Sequence, residues 1–162
     1  MIDDARQAYR RGKRAVLFQL PTGGGKTVTA STVVHGAALK GNRTWWLTHR
    51  RELASQASET FHNLGIPHGT VHAGYVSNPD ATVQVASIQT ISRRLDTLPP
   101  PSLIIFDEAH HIGAASWEAI FNRYPEARIL GLTATPWRLD GLGMGRWFGH
   151  MVNGPTTSDL IE

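Results

Sequence analysis

The stretch AVLFQLPTGGGKTVTAS, at residues 15 to 31, limits the possible folds more than any other part of the sequence. It opens with an apolar run rich in strand-forming residues, and Pro21 ends that run because proline cannot donate to a strand ladder. Three glycines, Gly23 to Gly25, then allow backbone N–H groups to converge on an anion. After Thr27 the apolar residues recur at helical spacing. The pattern therefore predicts a strand, a phosphate-binding loop and a helix in succession.

The loop also carries the side chains that a nucleotide site needs. Lys26 adds a positive charge, the hydroxyl of Thr27 suits Mg²⁺, and the N-terminus of the following helix favours phosphate. The strict loop pattern has a glycine where this sequence has Leu20, but Gly23 to Lys26 retain the cradle. The alternative is a flexible turn that contains GGGKT by chance, and the agreement of strand, loop and helix argues against it.

The composition fits one globular domain. The chain has 162 residues, 41% of them hydrophobic, which suits a single core. It has neither an apolar run of about 18 residues, which a membrane span needs, nor the basic and apolar leader of a secreted protein. Cysteine is absent, which excludes disulfides and cysteine-based metal sites and fits a cytoplasmic protein. A net charge of +3 permits a polyanionic partner without requiring one.

Strand-like and helix-like segments alternate along the chain. Alternation of this kind predicts an α/β fold with a parallel sheet, flanked by helices in three α/β/α layers. We expect a single domain over residues 1–162, with an irregular tail over 137–162 and a short helix at about 143–152. The predicted strands are residues 15–20, 44–48, 69–74, 82–87, 102–106 and 128–134, and the predicted helices are 2–11, the segment from the loop to about Gly41, 51–65, 88–98 and 114–124.

A second chemical signal is the segment LIIFDEAHH. Four apolar residues are followed by Asp107 and Glu108, which places two carboxylates at the C-terminal end of a buried strand. Ligands of open α/β sheets bind at that end, where one acid can hold Mg²⁺ and the other can deprotonate an attacking water. The alternative is that the two acids cap the next helix. Zinc held by His110 and His111 together with Asp107 is disfavoured, because adjacent residues rarely converge on one ion and no third ligand has metal-site spacing.

The ordered motifs resemble a known family. PTGGGKT, THRRELASQ, SIQTI, DEAHH and TATPWR follow one another as in the first RecA-like domain of a superfamily 2 DEAD/DEAH-box helicase or translocase. The nearest branch by resemblance includes RadD-like helicases and type III restriction motor subunits. That superfamily does not require the first glycine of the phosphate loop, so Leu20 fits it. The resemblance implies a RecA-like P-loop domain that uses ATP and Mg²⁺.

The resemblance also implies roles for individual residues. Glu108 would be the general base, and Thr27 with Asp107 would hold Mg²⁺. His110 would lie between the nucleotide and the TAT segment, where Thr133 and Thr135 couple hydrolysis to motion. The family's strand order places the TAT strand between the phosphate-loop strand and the DEAH strand. The residues expected to bind nucleotide are Thr22, Gly23, Gly24, Gly25, Lys26 and Thr27.

Contacts to DNA or RNA are implied at two further places. In the family, the loop after the second strand touches the nucleic-acid backbone, and His49, Arg50 and Arg51 occupy it. Two arginines at a helix start oppose the helix dipole, which is consistent with an anionic partner. The alternative is that each arginine pairs with Glu52 or another acid. By resemblance, the next contact to the nucleic-acid backbone is at Gln89 and Thr90, and another short motif is expected at residues 72–74.

The tryptophans divide into two groups. We expect Trp45 and Trp46 to pack in the core, and Trp137 with Arg138 to form an exposed edge.

The family motor needs parts that we expect outside these 162 residues. A second RecA-like domain supplies arginine fingers, and a glutamine before the first helix reads adenine, for which Gln7 is a poor substitute. We therefore expect an N-terminal motor half that is monomeric and hydrolyses ATP weakly. Two other functions remain open from the sequence: a self-contained P-loop ATPase or phosphotransferase, and a non-catalytic interaction domain with a vestigial loop.

Overall fold

A computed structural model of the chain describes residues 1–20, 26–111, 113–134 and 147–154, with backbone only at residues 26, 27 and 114. Its strands are β1 (Ala15–Gln19), β2 (Thr44–Thr48), β3 (Gly69–Thr70), β4 (Val83–Ser87), β5 (Leu103–Phe106), β6 (Arg128–Thr133) and β7 (His150–Asn153). Its α-helices are α1 (Ile2–Arg10), α2 (Lys26–Leu39), α3 (Arg51–Asn63), α4 (Ile88–Ser92) and α5 (Ala114–Arg123), and a short 3₁₀ turn spans Ala109–His111. None of the helices described is long and apolar enough to cross a membrane.

The strands form one sheet in the order β3-β4-β2-β5-β6-β1-β7, and every neighbouring pair is parallel. The predicted parallel α/β sheet is therefore confirmed. So is the predicted position of the TAT strand, because β6 lies between β1 and β5. Glycines end the helices as the sequence predicts: Gly12 follows α1 with φ of 91°, and Gly65 follows α3 with φ of 70°, a backbone region that other residues rarely adopt.

Helices cover both faces of the sheet. Alternate strand residues point to opposite faces, so neighbours such as Trp45 and Trp46 enter different cores. Trp46 packs edge-on against Phe61 of α3, and Trp45 packs edge-on against Tyr124 at the end of α5. Both tryptophans are 1% exposed, which confirms that they are core residues.

Three sequence predictions of secondary structure were wrong. The predicted strand 69–74 ends at Thr70, and the chain then turns back so that Val71 pairs with Val76 in an antiparallel bridge. The helix predicted over 88–98 stops at Ser92. The helix predicted at about 143–152 is replaced, in the part described, by β7, which adds to the edge of the sheet beside β1.

Gly131 of β6 allows the segment before β7 to pack. The ring of Phe148 lies over Gly131, and a Cβ atom built on this glycine would lie 2.7 Å from Cε1 of Phe148 and 2.9 Å from Cδ1 of Leu17. Both neighbours belong to the core, where Phe148 also packs against Trp117 with ring centroids 5.2 Å apart. A side chain at position 131 would therefore have to displace well-packed rings.

We predict that Gly131→Ala lowers the free energy of unfolding by about 1–3 kcal/mol, the usual cost of overpacking a filled core. Urea unfolding followed by tryptophan fluorescence measures this change. The matched control is Gly36→Ala in α2, where a Cβ would meet nothing within 4 Å. That variant should gain roughly 0.5–1 kcal/mol, because alanine loses less backbone entropy in a helix. Equal stability of Gly131→Ala and the wild type would contradict the prediction.

Candidate nucleotide and nucleic-acid site

The sheet brings the carboxyl ends of β1, β6 and β5 together. Gln19 at the end of β1 pairs with Thr133 at the end of β6, and Phe106 at the end of β5 pairs with Gly131. The amide of Leu20 donates to the carbonyl of Thr133 over 2.9 Å, which extends the ladder by one residue. The phosphate loop and the DEAH segment therefore leave the same edge of the sheet, on either side of the TAT strand.

Part of the predicted nucleotide site lies outside the described residues. This applies to Thr22, Gly23, Gly24 and Gly25, to the side chains of Lys26 and Thr27, and to Thr135. The backbone of α2 begins at Lys26, six residues after Leu20, and the helix has no acidic residue in its first turn. An N-terminus without negative charge leaves the helix dipole available to an anion.

The two carboxylates follow β5 in a fixed arrangement. The amide of Asp107 donates to the carbonyl of Leu47 over 2.9 Å, so the chain is held beside β2. The amide of Glu108 donates to Oδ1 of Asp107 over 3.0 Å. Glu108 has φ of 50°, the only positive value at a non-glycine residue in the described chain. A left-handed backbone at such a residue costs about 1–3 kcal/mol and is typical of functional sites.

His110 connects the DEAH segment to the TAT strand. Its Nδ1 lies 2.8 Å from the hydroxyl of Thr133, which is fully buried. Its other nitrogen, Nε2, lies 3.6 Å from Oε2 of Glu108. One imidazole therefore touches both the carboxylate predicted to act as base and the threonine predicted to sense hydrolysis.

A stack of histidines extends this cluster to the loop after β2. The rings of His110 and His111 have centroids 4.1 Å apart, and His111 stacks on His49 with centroids 4.3 Å apart. One ligand atom each from Glu108, His110 and His111 lie within 4.8 Å of one another. The structure thus places a third potential ligand beside the two histidines, which the sequence spacing did not reveal.

Arg50 and Arg51 stand at the start of α3, after β2. The hydroxyl of Thr48 donates to the carbonyl of Arg50 over 2.8 Å and fixes the turn into the helix. Both arginine residues are exposed, and no ion pair is found for either among the residues described, including Glu52. The alternative in which these arginines pair with nearby acids therefore has no support in this part of the chain.

The second predicted contact lies at the start of α4, after β4. Ser87 caps the helix, because its Oγ accepts from the amide of Thr90 over 3.3 Å and donates to the hydroxyl of Thr90 over 2.9 Å. Gln89 is exposed, whereas Thr90 is 7% exposed. The cap therefore turns Gln89 outward while Thr90 holds the loop in place.

A cleft of about 300 Å³ joins these two helix starts. Arg51 lines it on one side, Thr90 on another, and the turn after β3 closes it. A smaller cleft of about 90 Å³ adjoins it and is lined by Arg51, Ala73, Gln89, Thr90, Arg93 and Arg94. The sequence reasoning missed Arg93 and Arg94, although the pair RR directly after IQTIS is a visible signal.

A cavity larger than these two clefts lies elsewhere in the described part of the chain. Its volume is about 440 Å³, and residues of α1 and α2 line it together with Leu103 and Arg128, the first residues of β5 and β6. It opens at the amino ends of the strands, so it is remote from the carboxylates. Since ligands of open α/β sheets bind at the opposite edge, the smaller clefts are the better candidates for the functional site.

The environment of His49 gives a pH dependence. Burial lowers the pKa of the His49 imidazole below its usual value, and the neighbouring His111 and Arg50 lower it further. Its Nδ1 is buried and has no hydrogen-bond partner in the part described. Because the unfolded chain binds this proton more readily than the folded chain, the free energy of unfolding falls as the pH drops below about 6.5.

We predict that His49→Gln weakens this loss of stability in acid. Urea unfolding at several pH values between about 5 and 7.5 should show a smaller decrease for the variant than for the wild type. His62→Gln serves as the control, because His62 is exposed at the far end of α3. Identical pH profiles for His49→Gln and the wild type would contradict the assignment.

Known proteins are similar to this chain in sequence and in fold. A family model described as "Type III restriction enzyme, res subunit" matches residues 1–138. The chain is 35% identical over 146 residues to a 51.5 kDa protein of Lactococcus phage (isolate 7-9), covering 90% of this chain and 30% of that protein. It is 35% identical over 158 residues to the putative ATP-dependent helicase IRC3 of Saccharomyces cerevisiae, covering 86% of this chain and 23% of that one. The chain thus spans less than a third of these relatives.

Among solved structures, the UvsW helicase from bacteriophage T4 superposes with a TM-score of 0.72 at 16% identity. The match covers 87% of this chain and 55% of that one, and it supports the fold. The family match covers all of the motifs quoted above, and the strand order agrees with the order that the resemblance implies. The chain therefore belongs to the family of the type III restriction enzyme res subunit and has the fold of the first RecA-like domain of superfamily 2 helicases.

Proposed function

We propose that this chain is the ATP-binding half of a helicase or translocase that moves on DNA or RNA. The observation that carries the proposal is the contact of His110 with Thr133, together with its approach to Glu108. This contact joins the DEAH segment to the strand beside the phosphate-loop strand, as a motor that couples hydrolysis to movement requires. The relative named as a putative ATP-dependent helicase supports the same function.

The phosphate groups of ATP would bind at the start of α2. Thr22 and Gly23 to Gly25 would offer backbone amides, and Lys26 would neutralise charge on the β- and γ-phosphates. The absence of acidic residues in the first turn of α2 supports this role, because no side-chain carboxylate there competes with phosphate for the positive end of the helix dipole.

The residues present suit Mg²⁺. Asp107 holds its carboxylate at the end of β5, on the same sheet edge as α2, and Mg²⁺ prefers such oxygen ligands. Asp107 and the hydroxyl of Thr27 would hold the ion. When bound, Mg²⁺ neutralises charge that develops on the transferred phosphoryl group.

Glu108 would orient and deprotonate the attacking water. Its backbone strain supports this role, because a left-handed backbone at a non-glycine residue, here with φ of 50°, is typical of functional sites. His110 would connect Glu108 to Thr133 through its two ring nitrogens, so that a change at Glu108 alters the contact with Thr133. Thr135, at the end of the TAT segment, would respond to the same change. These residues would thus couple hydrolysis to a change of conformation.

The nucleic-acid backbone would cross the two helix starts at the carboxyl ends of β2 and β4. His49, Arg50 and Arg51 would supply positive charge and hydrogen bonds, with Gln89 and Thr90 as neutral contacts. The exposure of both arginines without an ion pair in the described chain supports this path. Contacts of this type position a strand without reading its sequence.

Turnover would require a second RecA-like domain. If its arginine fingers contribute the usual factor of about 10³–10⁵, the 162-residue chain alone binds nucleotide and hydrolyses it very slowly. The chain would act as a monomer when separate.

We predict opposite effects for two substitutions in the nucleotide site. Lys26→Ala should abolish binding of Mg-ATP by the 162-residue chain, as measured by calorimetry. Glu108→Gln keeps the size of the side chain but removes the base, so it should preserve binding. In a longer protein that adds the second RecA-like domain, Glu108→Gln should abolish hydrolysis. Retained turnover in that protein would disprove the role of Glu108, and unchanged affinity of Lys26→Ala would disprove the phosphate site.

We also predict a salt-dependent affinity for nucleic acid. With two or three charges neutralised, log affinity should fall with log salt at a slope of roughly −1.4 to −2.1, at about −0.7 per contact on a single strand. The double variant Arg50→Ala, Arg51→Ala should flatten this slope, as measured by fluorescence anisotropy. The matched control, Arg10→Ala with Arg11→Ala, removes the same charge at the end of α1, beside the opposite edge of the sheet. Equal slopes for the two double variants would place the nucleic acid elsewhere.

A further inference from the structure

The turn after β3 is a small, well-fixed hairpin. Val71 and Val76 form its antiparallel bridge, and the amide of His72 donates to the carbonyl of Tyr75 over 2.8 Å. Thr70 holds the base of the hairpin, because its amide donates to Oγ of Ser77 over 2.9 Å and its hydroxyl lies 2.8 Å from Nε2 of His72. The four residues between the two valines are therefore constrained at both ends.

The tip of the hairpin is tied to the segment that follows α4. The guanidinium of Arg94 donates to the carbonyl of Ala73 over 3.1 Å. This bond fixes the position of the hairpin relative to the helix start at Gln89. The hairpin thus has a defined place beside the proposed path of the nucleic acid.

An aromatic pair stands on this hairpin. The rings of His72 and Tyr75 stack with centroids 4.6 Å apart and planes 20° apart. Tyr75 nevertheless remains 60% exposed, more than a tyrosine that serves the core. The stack holds the phenol ring in one orientation at the edge of the 300 Å³ cleft.

The surroundings of the pair are cationic. Arg51, Arg93 and Arg94 line the two adjoining clefts, and the described residues that line them include no aspartate or glutamate. A planar, fixed ring next to unopposed guanidinium groups suits a ligand that combines flat bases with phosphates. It does not suit an acidic peptide, which has no flat face to place on the ring.

We propose that Tyr75, supported by His72, is a stacking platform for an unpaired base of a single-stranded nucleic acid, and that Arg93 and Arg94 contact its phosphates. The inference rests on the proposed function and adds a preference for strands with exposed bases. Every base has a π-face, so the platform tolerates any sequence. A duplex offers no free base face at this position, so it gains nothing from Tyr75.

The test compares oligonucleotides with and without bases. The 162-residue chain is titrated with a fluorescein-labelled thymidine oligomer and with the same oligomer made abasic, at one salt concentration. The wild type should bind the thymidine oligomer about 5- to 150-fold more tightly, the range expected for one base on an aromatic ring. Tyr75→Ala should lose that advantage and bind both oligomers equally, whereas Tyr75→Trp should retain it.

A matched control removes an exposed ring at the other end of the domain. His62→Ala, in the last turn of α3, should leave the preference for bases unchanged. Circular dichroism of each variant confirms that it folds. In addition, a 5-iodouridine placed in the oligomer should form a photo-crosslink to the tryptic peptide that contains Tyr75.

The outcomes separate this inference from the proposed function. If the wild type binds both oligomers with equal affinity and a normal salt slope, the platform is disproved and the motor function stands. The same conclusion follows if Tyr75→Ala keeps the preference for bases. If the wild type binds neither oligomer, the proposed function fails and the platform fails with it.

Discussion

The site depends on one constraint, the position of β6 between β1 and β5 in an all-parallel sheet. Parallel strands send all their carboxyl ends to one edge, and this order brings the ends of three particular strands together there. The hydroxyl of Thr133 can therefore reach His110, although 23 residues separate them in the chain. With any other neighbour for β6, the DEAH segment and the phosphate loop would lack this common contact.

The sheet divides into two halves that meet between β2 and β5. The proposed nucleotide site lies at the ends of β5, β6 and β1, and the proposed path of the nucleic acid lies at the ends of β2, β4 and β3. Two contacts cross the division at the functional edge: the bond from Asp107 to Leu47 and the stack of His111 on His49. Each half thus touches the other directly, and packed contacts of this kind can carry coupling between two sites.

The sequence predicted those features that local chemistry determines. The strand before the phosphate loop, the helix after it, the buried Trp45 and Trp46, and the parallel sheet all follow from apolar periodicity and glycine placement. The hairpin at residues 71–76 was not predictable in this way, because the run GTVHAG alternates like a strand and only the long-range tie from Arg94 to Ala73 fixes its turn. The sequence did not predict β7 either. Its four residues join the sheet only by pairing with β1, which lies far away in the chain, so local periodicity does not show the strand.

At position 108, the residue that the backbone conformation favours differs from the residue that the proposed chemistry needs. A glycine would adopt φ of 50° without steric cost, so the backbone at this position favours the one residue that has no side chain. A search for substitutions that raise the thermal stability of the domain would therefore favour glycine at position 108. That substitution would remove the carboxylate that we propose as the base. The residue that gives the highest stability at position 108 would therefore differ from the residue that the proposed chemistry needs, and part of the folding free energy offsets the backbone strain at this acid.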